Sequence, residues 1–222
     1  MSSPNQPHLV ILLHGISKSN SSLKGLEKFI NSHGFSTLNI NYPSTKYKIQ
    51  ELIELIHIKI SSELNNYNII SFVGFSMGGL IIRAYLNQYK ILNLGKVIMI
   101  GTPNNGSEVA DFFKDNILYK KFFGPAGKQL VTGPKNSDNS DNLYGKLYYE
   151  CGVIAGSLPL DFYYFLFKGK PNDGKVTVDS TKLEVMKDHI IVKISHWYLP
   201  RSKKVWNLIV GFLKYSTFIR KK

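Results

Sequence analysis

The segment Val73-Gly74-Phe75-Ser76-Met77-Gly78-Gly79 sets a Gly-x-Ser-x-Gly pattern between an apolar run and a stretch of helical spacing, and nothing else in the chain constrains the fold as tightly. The run Asn68-Ile69-Ile70-Ser71-Phe72-Val73 reads as a buried strand, and Leu80 to Leu86 keeps its apolar positions on one side of a helix. Ser76 then stands on a sharp strand-to-helix turn, its hydroxyl presented at a helix N-terminus. Glycine two positions to either side suits that turn, because a Cβ there would collide with the neighbouring strand or helix. A plain glycine-rich helix cap has the same appearance, so the partners of Ser76 must come from the rest of the chain.

A serine activated on such a turn needs a histidine after it in sequence and an acid between the two. Only His189 and His196 follow Ser76, and they bracket the strand-like run Ile190-Ile191-Val192-Lys193-Ile194. His196 falls just past that run, ahead of an amphipathic segment with Val205, Leu208, Ile209 and Phe212 on one face. It is therefore the expected base, whereas His189 precedes the strand, at the opposite edge of the sheet, and reads as solvated or structural. Eleven Asp and Glu residues lie between Ser76 and His196, from Glu108 to Asp188. Asn172-Asp173-Gly174 is a tight turn leading into Val176-Thr177-Val178, and a carboxylate on it can reach the imidazole. Asp173 would accept the His196 Nδ1 proton, fix the tautomer and leave Nε2 facing Ser76. An Asp in an ordinary turn that bonds its own backbone looks the same, and Asp179 and Asp188 stand as alternatives.

Near the N-terminus, Leu9-Val10-Ile11-Leu12-Leu13 reads as a central strand ending in His14-Gly15-Ile16-Ser17. A strand that ends in His-Gly and runs into a polar loop and an amphipathic helix resembles the oxyanion loop of α/β-hydrolases, in particular small bacterial lipases and esterases. The resemblance implies that two backbone amides hold the acyl oxyanion, those of Ile16 and Met77. Backbone donors suit that task because they need no reorganisation as charge develops, and losing one typically costs roughly a hundredfold to a thousandfold in rate. His14 precedes the serine and is expected to shape the loop rather than act as base. The resemblance extends over nearly the whole chain. Gly101-Thr102-Pro103-Asn104-Asn105-Gly106-Ser107 looks like the Gly-Thr-Pro-x-x-Gly-Ser loop of lipase-like hydrolases, with Ser107 also a candidate N-cap. Asn41-Tyr42-Pro43-Ser44 and Gly124-Pro125-Ala126-Gly127 look like further motifs of that group. One departure is Phe75, where such elbows often carry His.

At 222 residues the chain reads as one domain, close to the minimum for this architecture and with little room for a separate cap. Helices are expected over Ser22 to Ser32, Ile49 to Leu64, Gly79 to Gln88 and Glu108 to Asn116. They alternate with strands that include Ser36 to Asn41, Lys96 to Ile100 and Cys151 to Gly156. That alternation predicts an α/β fold: a mostly parallel central sheet with helices on both faces. Residues 122–147 break into Gly, Pro, Asn, Asp and Ser and read as an irregular loop insertion. The aromatic stretch over residues 158–167 is expected either to flap over an apolar site or to pack as a short core excursion.

The formal charge of +13 arises from 28 Lys and Arg against 15 Asp and Glu, and only Arg83, Arg201 and Arg220 are arginines. Such a field admits peripheral contact with an anionic membrane surface, for which the tail Arg220-Lys221-Lys222 is suited, or simply reflects solvated lysine faces. No nucleic-acid module is recognisable. The single Cys151 excludes an internal disulfide, and the six histidines lack metal-ligand spacing, so neither metal nor cofactor is expected. No signal peptide or membrane span is read, and the expected compartment is cytoplasmic. The resemblance implies a serine hydrolase of carboxylic esters acting on a small-molecule or lipid acyl ester. A thioesterase or acyltransferase would use the same residues, and a non-catalytic lipid- or membrane-binding member of the fold is the reading from another class.

Overall fold

The computed structural model describes residues 7–113, 115–116, 123–127, 129, 143–160, 166–167 and 169–220. Six strands form one sheet: β1 His8–Leu13, β2 Ser36–Ile40, β3 Ile69–Phe75, β4 Leu94–Ile100, β5 Cys151–Gly156 and β6 Asp188–Val192. Every pairing is parallel, in the spatial order β2-β1-β3-β4-β5-β6. Between the strands run α1 Lys24–Asn31, α2 Ile49–Ile60, α3 Met77–Gln88 and α4 Glu108–Phe113, and the helix Lys203–Tyr215 closes the chain. This is the expected α/β-hydrolase arrangement.

Alternation along the strands divides the core into two layers. In β1, Leu9, Ile11 and Leu13 join the cluster that includes Ile53, Ile56, Leu80 and Ile81, so this face is covered by α2 and α3. Val10 and Leu12 join the opposite cluster with Leu26, Ile30, Ile209 and Phe212, under α1 and the C-terminal helix. A strand covered on both sides has no solvent face, which is why β1 and β3 are nearly continuous apolar runs.

The chain leaves β1 toward one edge of the sheet and leaves β3 toward the other. Strand order therefore reverses between these neighbours, and the carboxyl ends of strands flanking such a reversal border a ready-made crevice. Gly15 to Ser17 follow β1 and Ser76 follows β3, so both loops open onto that crevice.

The segment read as a loop insertion at 122–147 and the aromatic stretch at 158–167 lie largely outside the described residues. No described helix is long and apolar enough to cross a membrane. Arg220 is not aligned with the crevice. Its guanidinium pairs with Asp188 at 2.6 Å, at the start of β6 and thus toward the opposite end of the sheet.

Candidate active site

Ser76 terminates β3 and caps α3 with φ 54° and ψ −124°, a conformation rarely adopted by a residue with a side chain. Its N–H donates to the Ile100 carbonyl at 2.8 Å and its own carbonyl accepts from Gly79 at 3.0 Å, so the turn is held from both sides. The flanking glycines are close-approach positions. A Cβ on Gly74 would strike the backbone of Gly78 and Gly79, and one on Gly78 would strike the carbonyls of Leu13 and His14. Strand, helix and the neighbouring β1 loop therefore pack backbone to backbone around the serine.

His196 lies in the loop after β6, with its N–H bonded to the Asp173 carbonyl at 2.9 Å. Its Nδ1 is 2.8 Å from Asp173 Oδ2 and its Nε2 is 3.1 Å from Ser76 Oγ. A carboxylate only accepts, so Nδ1 carries the proton and Nε2 offers its lone pair to the serine hydroxyl. The three residues are buried, with 8% of Ser76, 1% of Asp173 and 5% of His196 exposed. Phe75, at the place where related elbows often carry His, sets its ring 5.0 Å from the imidazole.

The two oxygens of Asp173 divide two tasks. Oδ1 accepts from the Lys175 and Val176 amides at 3.0 and 2.9 Å, while Oδ2 meets the imidazole. Asn172 Oδ1 accepts from Gly174 N at 2.9 Å, completing the turn. Asx-turn bonding and a bond to histidine, two competing readings of the sequence, coexist on one carboxylate. The alternatives lie elsewhere: Asp179 pairs with Lys182 and Asp188 with Arg220. His189 bonds Thr181 Oγ1 at 3.0 Å, away from the serine.

The loop after β1 lies against the elbow, since a Cβ on Gly15 would sit 3.2 Å from Ser76 Cβ. Met77 is the first residue of α3, and its N–H has no acceptor within the helix. His14 shapes this loop. Its ring stacks on Tyr42 at 4.1 Å, its Nδ1–H donates to the Gly15 carbonyl at 2.9 Å, and the Tyr42 hydroxyl donates to the His14 carbonyl. Burial lowers the pKa of His14, so the ring is neutral. Ser44 Oγ accepts from Ser17 N at 3.1 Å, so the Asn41-Tyr42-Pro43-Ser44 motif braces the loop from β2. These supporting roles of Tyr42 and Ser44 carry no chemical signature in sequence.

The Gly101 to Ser107 loop braces the acid. Ser107 Oγ donates to the Lys175 carbonyl at 3.0 Å and accepts from Ala110 N at 3.4 Å, and Asn104 Nδ2 donates to the Thr181 carbonyl at 2.8 Å. Cys151 is buried in β5, and burial pushes its thiol up to about 12, the pKa of a packing residue rather than a nucleophile. Among the described residues no three His, Cys, Asp or Glu side chains converge as metal ligands.

A parallel sheet with helices on both faces, a strained serine after β3 and a histidine after the last strand define the α/β-hydrolase class. A family model described as palmitoyl protein thioesterase matches residues 9–151, which include Ser76 but stop short of Asp173 and His196. The chain belongs to that family and is a lipase- and esterase-like member of the fold. It is 27% identical to triacylglycerol lipase 2 of Saccharomyces cerevisiae, over 71% of this chain and 56% of the yeast protein. A crystal structure of a Bacillus licheniformis lipase in its propeptide form superposes with a TM-score of 0.81 at 21% identity, covering 100% of this chain and 53% of that one. The mature form of the same lipase gives 0.77 at 19% identity, with 96% and 94% covered. The chain thus spans about half the length of the curated relative it matches.

Proposed function

We propose that this chain is one α/β-hydrolase domain that hydrolyses carboxylic esters or thioesters through an acyl-enzyme on Ser76. The observation carrying the proposal is the His196 ring, 3.1 Å from Ser76 Oγ on one side and 2.8 Å from Asp173 on the other. Ser76 Oγ attacks the acyl carbon while Nε2 takes its proton. Asp173 holds the imidazolium, and the Ile16 and Met77 amides receive the negative charge on the acyl oxygen. Collapse of the tetrahedral species breaks the bond to the leaving alcohol or thiol, which departs with the proton from Nε2. Water deprotonated by the same nitrogen then releases the acid and restores Ser76.

Lipid acyl esters fit the yeast triacylglycerol lipase likeness, and thioesters fit the family to which the chain belongs. The chemistry at Ser76 is common to both.

A fluorophosphonate probe tests the reading, with peptide mapping of wild-type and Ser76→Ala protein and a p-nitrophenyl ester series of increasing chain length. Modification at Ser76 that is lost in the variant, together with ester turnover, is the expected result. Folded protein that is neither labelled nor active would leave a non-catalytic binding member of the fold as the better account.

A further inference from the structure

The proposed mechanism fixes which side of Ser76 the leaving group occupies, because its departing atom must receive the proton carried by His196 Nε2. The surface on that side is unusual. Trp197 follows the base directly, with its ring 6.2 Å from the imidazole and 41% of the residue exposed. Lys18 Nζ lies 4.1 Å from the indole centroid and Lys175 Nζ 5.7 Å, both within cation–π range. The two lysines arrive on different loops, Lys18 two residues beyond Ile16 and Lys175 two beyond Asp173. Arg201, in the turn Leu199–Arg201 that follows the base, reaches the same place, its Nη1 donating to the Trp197 carbonyl at 3.5 Å. Burial, and after it the charge of Arg201, lowers the pKa of Lys18, so these two cations feel one another.

Lys182 pairs with Asp179, Lys187 with Glu150 and Arg220 with Asp188. Among the described residues no carboxylate pairs with Lys18 or Arg201. Like charges drawn together over an exposed aromatic face repel one another, and an anion seated among them relieves that repulsion.

We infer that the leaving-group side of Ser76 carries a subsite for an anion, formed by Lys18, Lys175, Arg201 and Trp197. The preferred substrates then release an alcohol or thiol bearing a phosphate, sulfonate or carboxylate. The inference rests on the hydrolase reading above and names its substrate class.

The test compares two soluble butyrate esters of similar leaving ability, one of 4-hydroxybenzenesulfonate and one of neutral 4-hydroxybenzenesulfonamide. At low salt the sulfonate ester should show the higher kcat/KM, mainly through KM, and the advantage should shrink as sodium chloride is added. Lys18→Gln and Lys175→Gln should each cut the sulfonate-to-sulfonamide ratio by about two- to fivefold, the range of an exposed charge pair. Lys214→Gln, on the C-terminal helix, should leave the ratio alone. Phosphatidylglycerol and phosphatidylcholine vesicles form the second arm: a preference confined to the vesicles assigns the anion to a lipid headgroup, and one already present with the soluble esters assigns it to the leaving group alone. Equal kcat/KM in both arms overturns the subsite. Failure of the hydrolase reading looks different, with no turnover of either ester and no labelling of Ser76. Quenching of Trp197 fluorescence in Trp206→Phe protein decides even then: iodide should quench more than caesium, less so after Lys18→Gln, and equal quenching overturns the inference.

Discussion

Asp173 carries two demands on one carboxylate, and substitution can separate them. Asn at this position can still accept from Lys175 and Val176 through its carbonyl oxygen, so the turn survives. Its NH2 group would then face His196 Nδ1, and two donors cannot bond. The ring must present the wrong tautomer to Ser76, which in a comparable triad costs on the order of 10⁴ in kcat. Asp173→Asn should therefore melt near wild type yet lose roughly that factor, read by circular dichroism and ester turnover. Wild-type turnover in Asp173→Asn would remove Asp173 from the mechanism. For Ser76→Ala and His196→Ala, losses of about 10⁴ or more each, with the double variant scarcely worse, are expected of residues acting as one unit. Near-additive losses would sink the triad. At this scale the sequence was informative where chemistry restricts the choice: chain order left two histidines, and the Asn-Asp-Gly turn favoured Asp173 among eleven acids, with Asp179 and Asp188 as alternatives. It was silent on Lys18, Lys175 and Trp197, whose juxtaposition depends on three loops meeting at the sheet end and has no local pattern.

At the scale of elements, the alternation of apolar runs was enough to read the parallel sheet, while several boundaries moved for identifiable reasons. The helix expected over Ile49 to Leu64 ends at Ile60, where Ser61 Oγ turns back to the Ile58 carbonyl at 3.3 Å and competes with helical bonding. The last strand begins at Asp188 and ends at Val192, two residues earlier than its apolar run, because Asp188 and His189 pair with Gly152 and Val153. The helix α3 begins at Met77, two residues earlier than expected, since the strain sits on Ser76 itself. Gly78 links element packing to the site. Alanine there would push α3 away from the Leu13 and His14 carbonyls, shifting Ser76 and Met77 relative to the Gly15 loop. Ile53→Ala in α2 is the comparison: a fully buried side chain whose truncation costs about 2–5 kcal/mol without touching the elbow. Both variants should melt at lower temperature, but only Gly78→Ala should slow fluorophosphonate labelling more than tenfold under conditions where the protein remains folded. Equal labelling rates in the two would mean that the close approach serves stability alone.

Over the whole molecule, acid sensitivity follows from histidines held neutral in a chain that already carries a formal charge of +13. Burial, reinforced by the nearby Lys96, lowers His8 to about 4, and burial lowers His14 despite its contacts with Gly15, Asn41 and Tyr42. In the unfolded chain each returns to an ordinary value of about 6.5. Between the folded and unfolded values the unfolded state binds more protons, so the stability present above pH 6.5 is lost as pH falls toward the folded values. Asp188 acts in a lower window. Burial pushes its carboxyl up, but Arg220, the Phe218 N–H and Thr217 together outweigh it and hold the pKa below the usual carboxylate range. Its contribution is present above the unfolded carboxylate value and is lost only below it, which leaves pH 7 to 5 to the histidines. His8 sits at the start of β1 with Nε2 2.8 Å from Ser71 Oγ, a bond that a glutamine side chain can replace without a titrating group. The urea midpoint of the wild-type protein should drop between pH 7 and pH 5, and His8→Gln should flatten that drop while leaving the pH 7 midpoint close to wild type. Parallel pH profiles for the two proteins would exclude His8 as a source of the acid sensitivity and leave two histidines whose pKa burial also lowers, His14 beside the loop that borders Ser76 and His189 in β6, as the groups whose protonation opposes the fold.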